Sequence, residues 1–254
     1  MKNYQFLLCF FLCLGTFTSI GQENSEVAFE SATAAYTNKS YSKAIDQYLA
    51  ILAKGEHSKA LYNNLGSSLY QIGNYPKSIL YFEKGLKFDP YDISILHNLN
   101  LSREQLENDV VQIPEFVLIK AWKYMHTRLS SNTWFAFSLI SLFGAVFAFS
   151  IWLLHKERQK KKSGFLGGII LFGLSILLFC LSHSQASFRH SHNTAIIMQE
   201  AVSLKSAPEE ANEPIMTLEP GTKIFFIDEI GEYHKVKLDN GQLGWIPKGS
   251  FELI

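Results

Sequence analysis

Hydrophobic and polar positions change rhythm several times along the chain. An apolar run at residues 6–17 follows Met1-Lys2-Asn3 and gives way to Ser19-Ile20-Gly21 and then Gln22-Glu23. One basic residue, a short apolar core and small residues before a polar stretch predict a secretory signal peptide over 1–21, cleaved after Gly21, with an uncleaved anchor as the alternative. From 22 to 109 apolar residues recur at helical spacing. Residues 134–154 are 21 positions without a charge, and 165–181 are another 17. A bilayer core takes ~20 residues at 1.5 Å each, so these two runs predict a transmembrane helical hairpin. A buried soluble helix is the alternative for the shorter run. Gly167 with residues 169–175 offers it a small-residue face for close helix approach.

The helical region repeats itself. Tyr41, Lys43, Ala44, Ile45 and Tyr48 stand 34 residues before Tyr75, Lys77, Ser78, Ile79 and Phe82; Ala32 and Tyr36 precede Gly66 and Tyr70 by the same interval. The better unit, from 59 to about 92, has Tyr62, Leu65, Gly66 and Leu69 on its first helix, Ser78 and Phe82 on its second, and Pro90 at its end. Small residues sit where paired helices touch, and large ones fill the gaps. This period and pattern resemble the tetratricopeptide repeat. The first unit, about 25–58, is poorer, with Ala28 and Ser31 where large residues usually sit. A capping helix starts at 95, where Leu96, Asn98 and Leu99 match Tyr62, Asn64 and Leu65. An all-α array over 22–109 would expose on its concave face Phe29, Thr33, Tyr36, Asn63, Asn64, Ser67, Tyr70, His97 and Leu101. The two asparagines suit an extended peptide backbone. The competing reading packs the aromatics within the array. No basic cluster lines that face for a carboxylate terminus.

Residues 110–133 join array and hairpin. Phe116, Ile119, Trp122 and Met125 alternate with Lys120, Lys123 and Arg128. This amphipathic connector reads either as a headgroup-level helix or as a linker helix packed on the array. After a tether at 182–193, residues 194–254 switch to strand signals. Strands are predicted at 195–204 (one, or a pair), 223–230, 233–238, 243–246 and 251–254, with a three-proline loop at 206–220 and a hairpin turn at Asp239-Asn240-Gly241. Pro220-Gly221-Thr222, Tyr233-His234-Lys235-Val236 and Gly241-Gln242-Leu243-Gly244-Trp245-Ile246-Pro247 resemble a bacterial SH3-like barrel, a small all-β module. Some barrels of that kind bind peptides or peptidoglycan and others are spacers. Tyr233, Trp245, Pro247 and Phe251 form the candidate cluster, with Trp245 alternatively in the core.

Charge changes the picture only when divided by position. The chain carries 23 Lys+Arg and 23 Asp+Glu, so the whole excludes a basic nucleic-acid binder and an acidic disordered tail. Residues 155–181 hold five basic groups (Lys156, Arg158, Lys160, Lys161, Lys162) and one acidic, while 182–254 hold six basic and ten acidic. A short loop at 155–164 rich in Lys and Arg stays in the cytoplasm. A signal peptide independently exports residue 22, and the two arguments agree on a two-pass inner-membrane topology with both flanking regions periplasmic. Retention and anionic-lipid contact account for the basic loop without a cytoplasmic partner. Cys9 and Cys13 lie in the leader and Cys180 in the second run, so the exported parts have no disulfide.

Positive signals for catalysis are lacking: no phosphate-binding glycine loop, paired-cysteine motif, HExxH or nucleophile elbow. His183, His190 and His192 raise the question of metal, but Ser/His/Asn-rich sequence at a membrane exit reads rather as a tether. No enzyme, metal or cofactor is expected. The domain order, with His97-Asn98-Leu99 after the repeat and Ile113-Pro114-Glu115 before the spans, resembles the BatE family of the Bacteroides aerotolerance operon. That resemblance implies a scaffold in an envelope-stress complex, alongside MoxR-type ATPases, von Willebrand factor A-type membrane proteins and periplasmic repeat proteins. The residues leave a second expectation open: a sensor whose barrel grips peptidoglycan.

Overall fold

The computed structural model describes residues 20–106, 116–190, 193–209 and 213–254. Nearly all of the leader at 1–21, and Ile113-Pro114-Glu115, lie outside the described residues.

Five helices form the N-terminal array: α1 (Ile20–Thr37), α2 (Tyr41–Ala53), α3 (Lys59–Gln71), α4 (Tyr75–Leu86) and α5 (Ile93–Glu104). Ser58, Asn74 and Asp92 cap α3, α4 and α5 by accepting from the backbone N–H of Leu61, Lys77 and Ile95, which satisfies donors a helix start leaves open. The turns out of α1 and α3 repeat each other bond for bond. Ser40 N donates to Ala35 O and Lys39 N to Tyr36 O, each at 2.9 Å; Asn74 N donates to Leu69 O at 2.9 Å and Gly73 N to Tyr70 O at 3.0 Å. Both turns need a left-handed residue, supplied by Gly73 at φ 79° and by Lys39 at φ 59°. Gly66 lets α3 and α4 meet, because a Cβ there would stand 2.8 Å from the fully buried Phe82 ring. Ser78 Oγ donates to Gly66 O at 2.8 Å and lies 3.0 Å from Ser102 Oγ, which ties α5 to the same seam.

Two apolar helices follow the connector helix α6 (Val117–Thr127): α7 (Ser131–Leu154) and α8 (Arg158–His190). Both are long and apolar enough to cross a membrane. They pack as an antiparallel pair through small and hydroxyl residues. Ser138 Oγ and Ser175 Oγ each donate to the other's carbonyl at 3.0 Å, and Ser141 Oγ donates to Leu171 O at 2.8 Å. A Cβ on Gly164 would stand 2.8 Å from Ala148 O, and one on Gly168 would stand 2.8 Å from the Phe149 ring. The expected small-residue face thus shifts. Gly164, Gly168 and Ser175 carry the close approach, while Gly173 has nothing within 4 Å of its would-be Cβ.

Two boundaries differ from expectation. The basic loop is mostly helix, since α8 begins at Arg158 and only residues 155–157 turn. The tether is helical through His190. Tertiary contacts extend it: Ser182 Oγ donates to Ser131 O at 2.9 Å, Gln185 is buried, and Phe188 meets the His126 ring of α6 edge-on at 5.7 Å.

The C-terminal part is a seven-stranded antiparallel sheet in the order β3-β2-β6-β5-β4-β1-β7. Its strands are β1 (Thr194–Ile197), β2 (Val202–Lys205), β3 (Pro214–Leu218), β4 (Lys223–Ile230), β5 (Tyr233–Leu238), β6 (Leu243–Pro247) and β7 (Phe251–Leu253). The expected proline loop contains β3. Pro214 opens that strand at the end of the sheet order, where a missing N–H is tolerated. The sheet buries Ile197, Leu204, Leu218, Ile224, Val236, Leu238 and Ile246 in one core.

Strand alternation explains why β1 reads as a continuous apolar run. Ala195 and Ile197 enter the sheet core, whereas Ile196 points the other way and joins Ile79, Leu80, Phe82, Ile95, Leu99 and Ile254 in a cluster shared with the array. Array and sheet therefore share an apolar core.

Candidate protein-interaction site

Three polar links flank that shared core. Lys223 Nζ of β4 donates to Glu83 Oε2 of α4 at 2.7 Å, and Arg103 Nη2 of α5 donates to Glu83 Oε1 at 2.8 Å. Lys87 Nζ donates to Ile254 O at 2.7 Å. Burial alone would raise the Glu83 carboxyl, but Lys223 and Arg103 outweigh it and hold it below the usual carboxylate value. The outer flank of α4 is thus occupied by the sheet.

The face formed by the first helices is different. Asn98 Nδ2 of α5 donates to Asn63 Oδ1 of α3 at 3.2 Å, so two amides from neighbouring helices stand side by side. Amides of this kind present both donors and acceptors to a peptide backbone. Ser67 Oγ is half-buried and donates to Asn63 O on its own helix. Asn64 is half-buried and its carbonyl accepts from the buried Ser68 Oγ. His97 is exposed beside Asn98.

Residues 59–92 match the tetratricopeptide repeat. This repeat is a protein-interaction unit, and the match covers α3, α4 and the closing turn. No curated protein matches the chain.

Within the helical array the expected aromatics are half-buried and packed on neighbouring rings. Tyr36 meets Tyr41 at 5.5 Å and Tyr70 meets Tyr75 at 5.6 Å, both edge-on. Phe29 packs on the buried Tyr48 at 5.8 Å, and Thr33 Oγ1 lies 3.1 Å from the Tyr48 hydroxyl. These rings brace each helix against its pair, and the polar edge is left to Asn63, Asn98, Ser67 and His97. Asn98 was not among the expected face residues. Its partner lies 35 positions earlier rather than 34, one step out of the repeat's phase.

The aromatic cluster expected on the sheet divides. Tyr233 and Pro247 pair across β5 and β6 and line a cavity of about 290 Å³ with Gln199, Glu200 and Lys205. Phe251 instead packs against Phe226 at 4.9 Å with the rings tilted, and meets His234 edge-on at 5.3 Å. Trp245 is only 8% exposed, and the Lys235 ammonium sits 5.8 Å from its ring centroid. The basic residues Lys156, Arg158, Lys160, Lys161 and Lys162 are all exposed around the α7–α8 turn, where Lys160 Nζ meets Glu157 Oε1 at 3.1 Å. Among the described residues no three His, Cys, Asp or Glu side chains gather as a metal site.

Helix α6 sits between hairpin and array. His126 is buried against α8, Trp122 Nε1 donates to Ser184 Oγ at 3.2 Å, and Trp134 Nε1 donates to His126 O at 3.0 Å. On its other side Tyr124 meets Tyr91 of the repeat's closing turn at 5.3 Å. Phe116, Val117, Leu118 and Ile119 are exposed.

Proposed function

We propose that the chain is a non-enzymatic inner-membrane scaffold that holds a protein partner on the Asn63–Asn98 face of its array. The observation that carries the reading is the division of the array's surface. The sheet closes α4 through Ile196, Ile254 and Lys223, while the paired amides lie half-buried on the other side of the array, beside the exposed His97. The partner lies across those amides as an extended segment or helix, in the manner of groove recognition.

The same architecture supports a two-pass topology. Array and sheet share a core, so both stand on one side of the bilayer, and the hairpin returns the chain to that side. The four cations at the start of α8 oppose its dipole at about 0.3–1 kcal/mol each, so helix stability does not account for them. Retention in the cytoplasm and contact with anionic lipid do. The array and sheet then lie in the periplasm behind a cleaved leader. The domain order supports placing the chain in a Bat-type aerotolerance or envelope-stress complex, with von Willebrand factor A-type membrane proteins and periplasmic repeat proteins as partners.

Copurification from native membranes tests the scaffold reading. Asn63→Arg/Asn98→Arg in the full chain is expected to lose partners that the wild type retains. Retention of the same partners at the same ratio contradicts it. A second reading, in which the sheet grips peptidoglycan, draws on the Tyr233–Pro247 cavity. It requires the full chain in detergent to sediment with purified cell wall and Tyr233→Ala to abolish that; no sedimentation ends it.

A further inference from the structure

Two arginines at the hairpin end remote from the basic turn meet in one cavity. Arg128 follows α6 three residues before α7 begins, and Arg189 lies in the last turn of α8. Both line a space of about 500 Å³, whose walls also include Lys59, Phe88, Asp89 and Tyr124. Each guanidinium is stacked on a ring: Arg128 is 4.2 Å from the Tyr124 centroid and Arg189 is 4.8 Å from that of Phe88. Stacking fixes the guanidinium plane and leaves its N–H edge for an acceptor.

The charge in this cavity is unbalanced. Among the described residues neither arginine forms an ion pair with a carboxylate, and the buried Nε of Arg189 has no hydrogen-bond partner. A buried N–H of this kind calls for an acceptor. Asp89, the carboxylate in the wall, is already held by Lys59 at 3.2 Å, and Lys59 also holds Asp92 at 2.7 Å. Among the described residues the cavity and its rim thus carry three cations, Lys59, Arg128 and Arg189, against two carboxylates, Asp89 and Asp92, and the two forked donors match a phosphate.

We infer that this cavity binds the phosphate of an anionic phospholipid headgroup in the leaflet opposite the basic turn. The inference rests on the reading of α7 and α8 as membrane spans. Position selects lipid over free phosphate: Arg189 lies about two helical turns beyond Leu181, where the apolar run ends, and Arg128 directly precedes the other span. Tyr124 sits on the same helix as the exposed apolar residues Ile119, Trp122 and Met125, which face a bilayer surface in this placement. The cavity is also much larger than one phosphate ion.

The test uses the full chain in nonionic detergent with added phosphatidylglycerol, read by native mass spectrometry. Wild type is expected to retain one lipid that Arg128→Gln/Arg189→Gln binds at least ~10-fold more weakly. Lys160→Gln/Lys161→Gln/Lys162→Gln, which alters only the basic turn, should keep that lipid, and millimolar inorganic phosphate should not displace it. Arg189→Lys keeps the charge, loses the fork and should bind more weakly than wild type; equal binding by this variant or by the double variant overturns the proposal. Displacement by inorganic phosphate alone reassigns the cavity to a free anion and likewise overturns the lipid. Carbonate extraction of the wild-type chain from membranes would instead refute the spans themselves.

Discussion

Glu83 on α4 and Lys223 on β4 lie 140 residues apart in sequence and meet at 2.7 Å. With Arg103 completing the triad, this contact joins the helical array to the sheet across the cluster built on Ile196 and Ile254. A buried carboxylate left without one of its partners is costly, by up to roughly 3 kcal/mol where a second cation remains. Lys223→Met should therefore loosen the docking while each part stays folded. Hydrogen exchange at β1 and along α4 should speed up in the variant; unchanged protection would show that the triad does not hold the interface.

The same triad sets a pH dependence. The Glu83 carboxyl is held below its ordinary value of 4.5, so the folded state favours the ionised form. Its contribution is fully present above about 4.5 and is lost as pH falls through the lowered folded value. Docking should weaken only in acid, and Glu83→Gln should weaken it at neutral pH and flatten the acid response at β1. An acid response identical to wild type would contradict the assignment.

The turn after α1 is strained where its counterpart is not. Lys39 adopts φ 59° at the position where the second repeat has Gly73 at φ 79°. Lys39→Gly should stabilise the array by roughly 0.5–1 kcal/mol, and Gly73→Ala should destabilise it by a similar amount. Thermal melts of the two variants check the pair of signs.

At the centre of the second repeat the room is closed. Gly66→Ala would place a Cβ 2.8 Å from the ring of Phe82, which is fully buried. The overpacking cost, roughly 1–3 kcal/mol, exceeds the helix propensity that alanine adds. A lowered melting temperature is expected; a raised one would mean that α3 and α4 can move apart freely.

What could be read from the residues follows the range of the contacts involved. Gly66, Ser78, Phe82 and Pro90 satisfy contacts inside one unit, so the second repeat was legible, as were the two apolar helices. The groove was legible only in part. The repeat's phase puts Tyr36 and Tyr70 on the open face, yet each has a tyrosine five residues later, Tyr41 and Tyr75, and that recurring pair is the signal that they brace the helices. Asn98 escaped because it pairs one residue out of phase. The docking of sheet on array had no local trace beyond the unbroken apolar run of β1, since the buried array partners of Ile196, from Leu99 back to Ile79, lie 97 to 117 residues away. The helical extension to His190 depends on α6, a contact that composition does not reveal.

Cysteine labelling tests most directly the claim that array and sheet work together on the outer side of the membrane. In a Cys180→Ser background, single cysteines replace His97 on the array, Leu243 on the sheet or Lys161 at the basic turn, all exposed positions. A membrane-impermeant maleimide applied to intact spheroplasts should label the cysteines at 97 and 243 and leave the one at 161 unlabelled until the membrane is opened. Labelling of 97 and 243 from opposite sides, or of 161 alone from outside, would contradict the account.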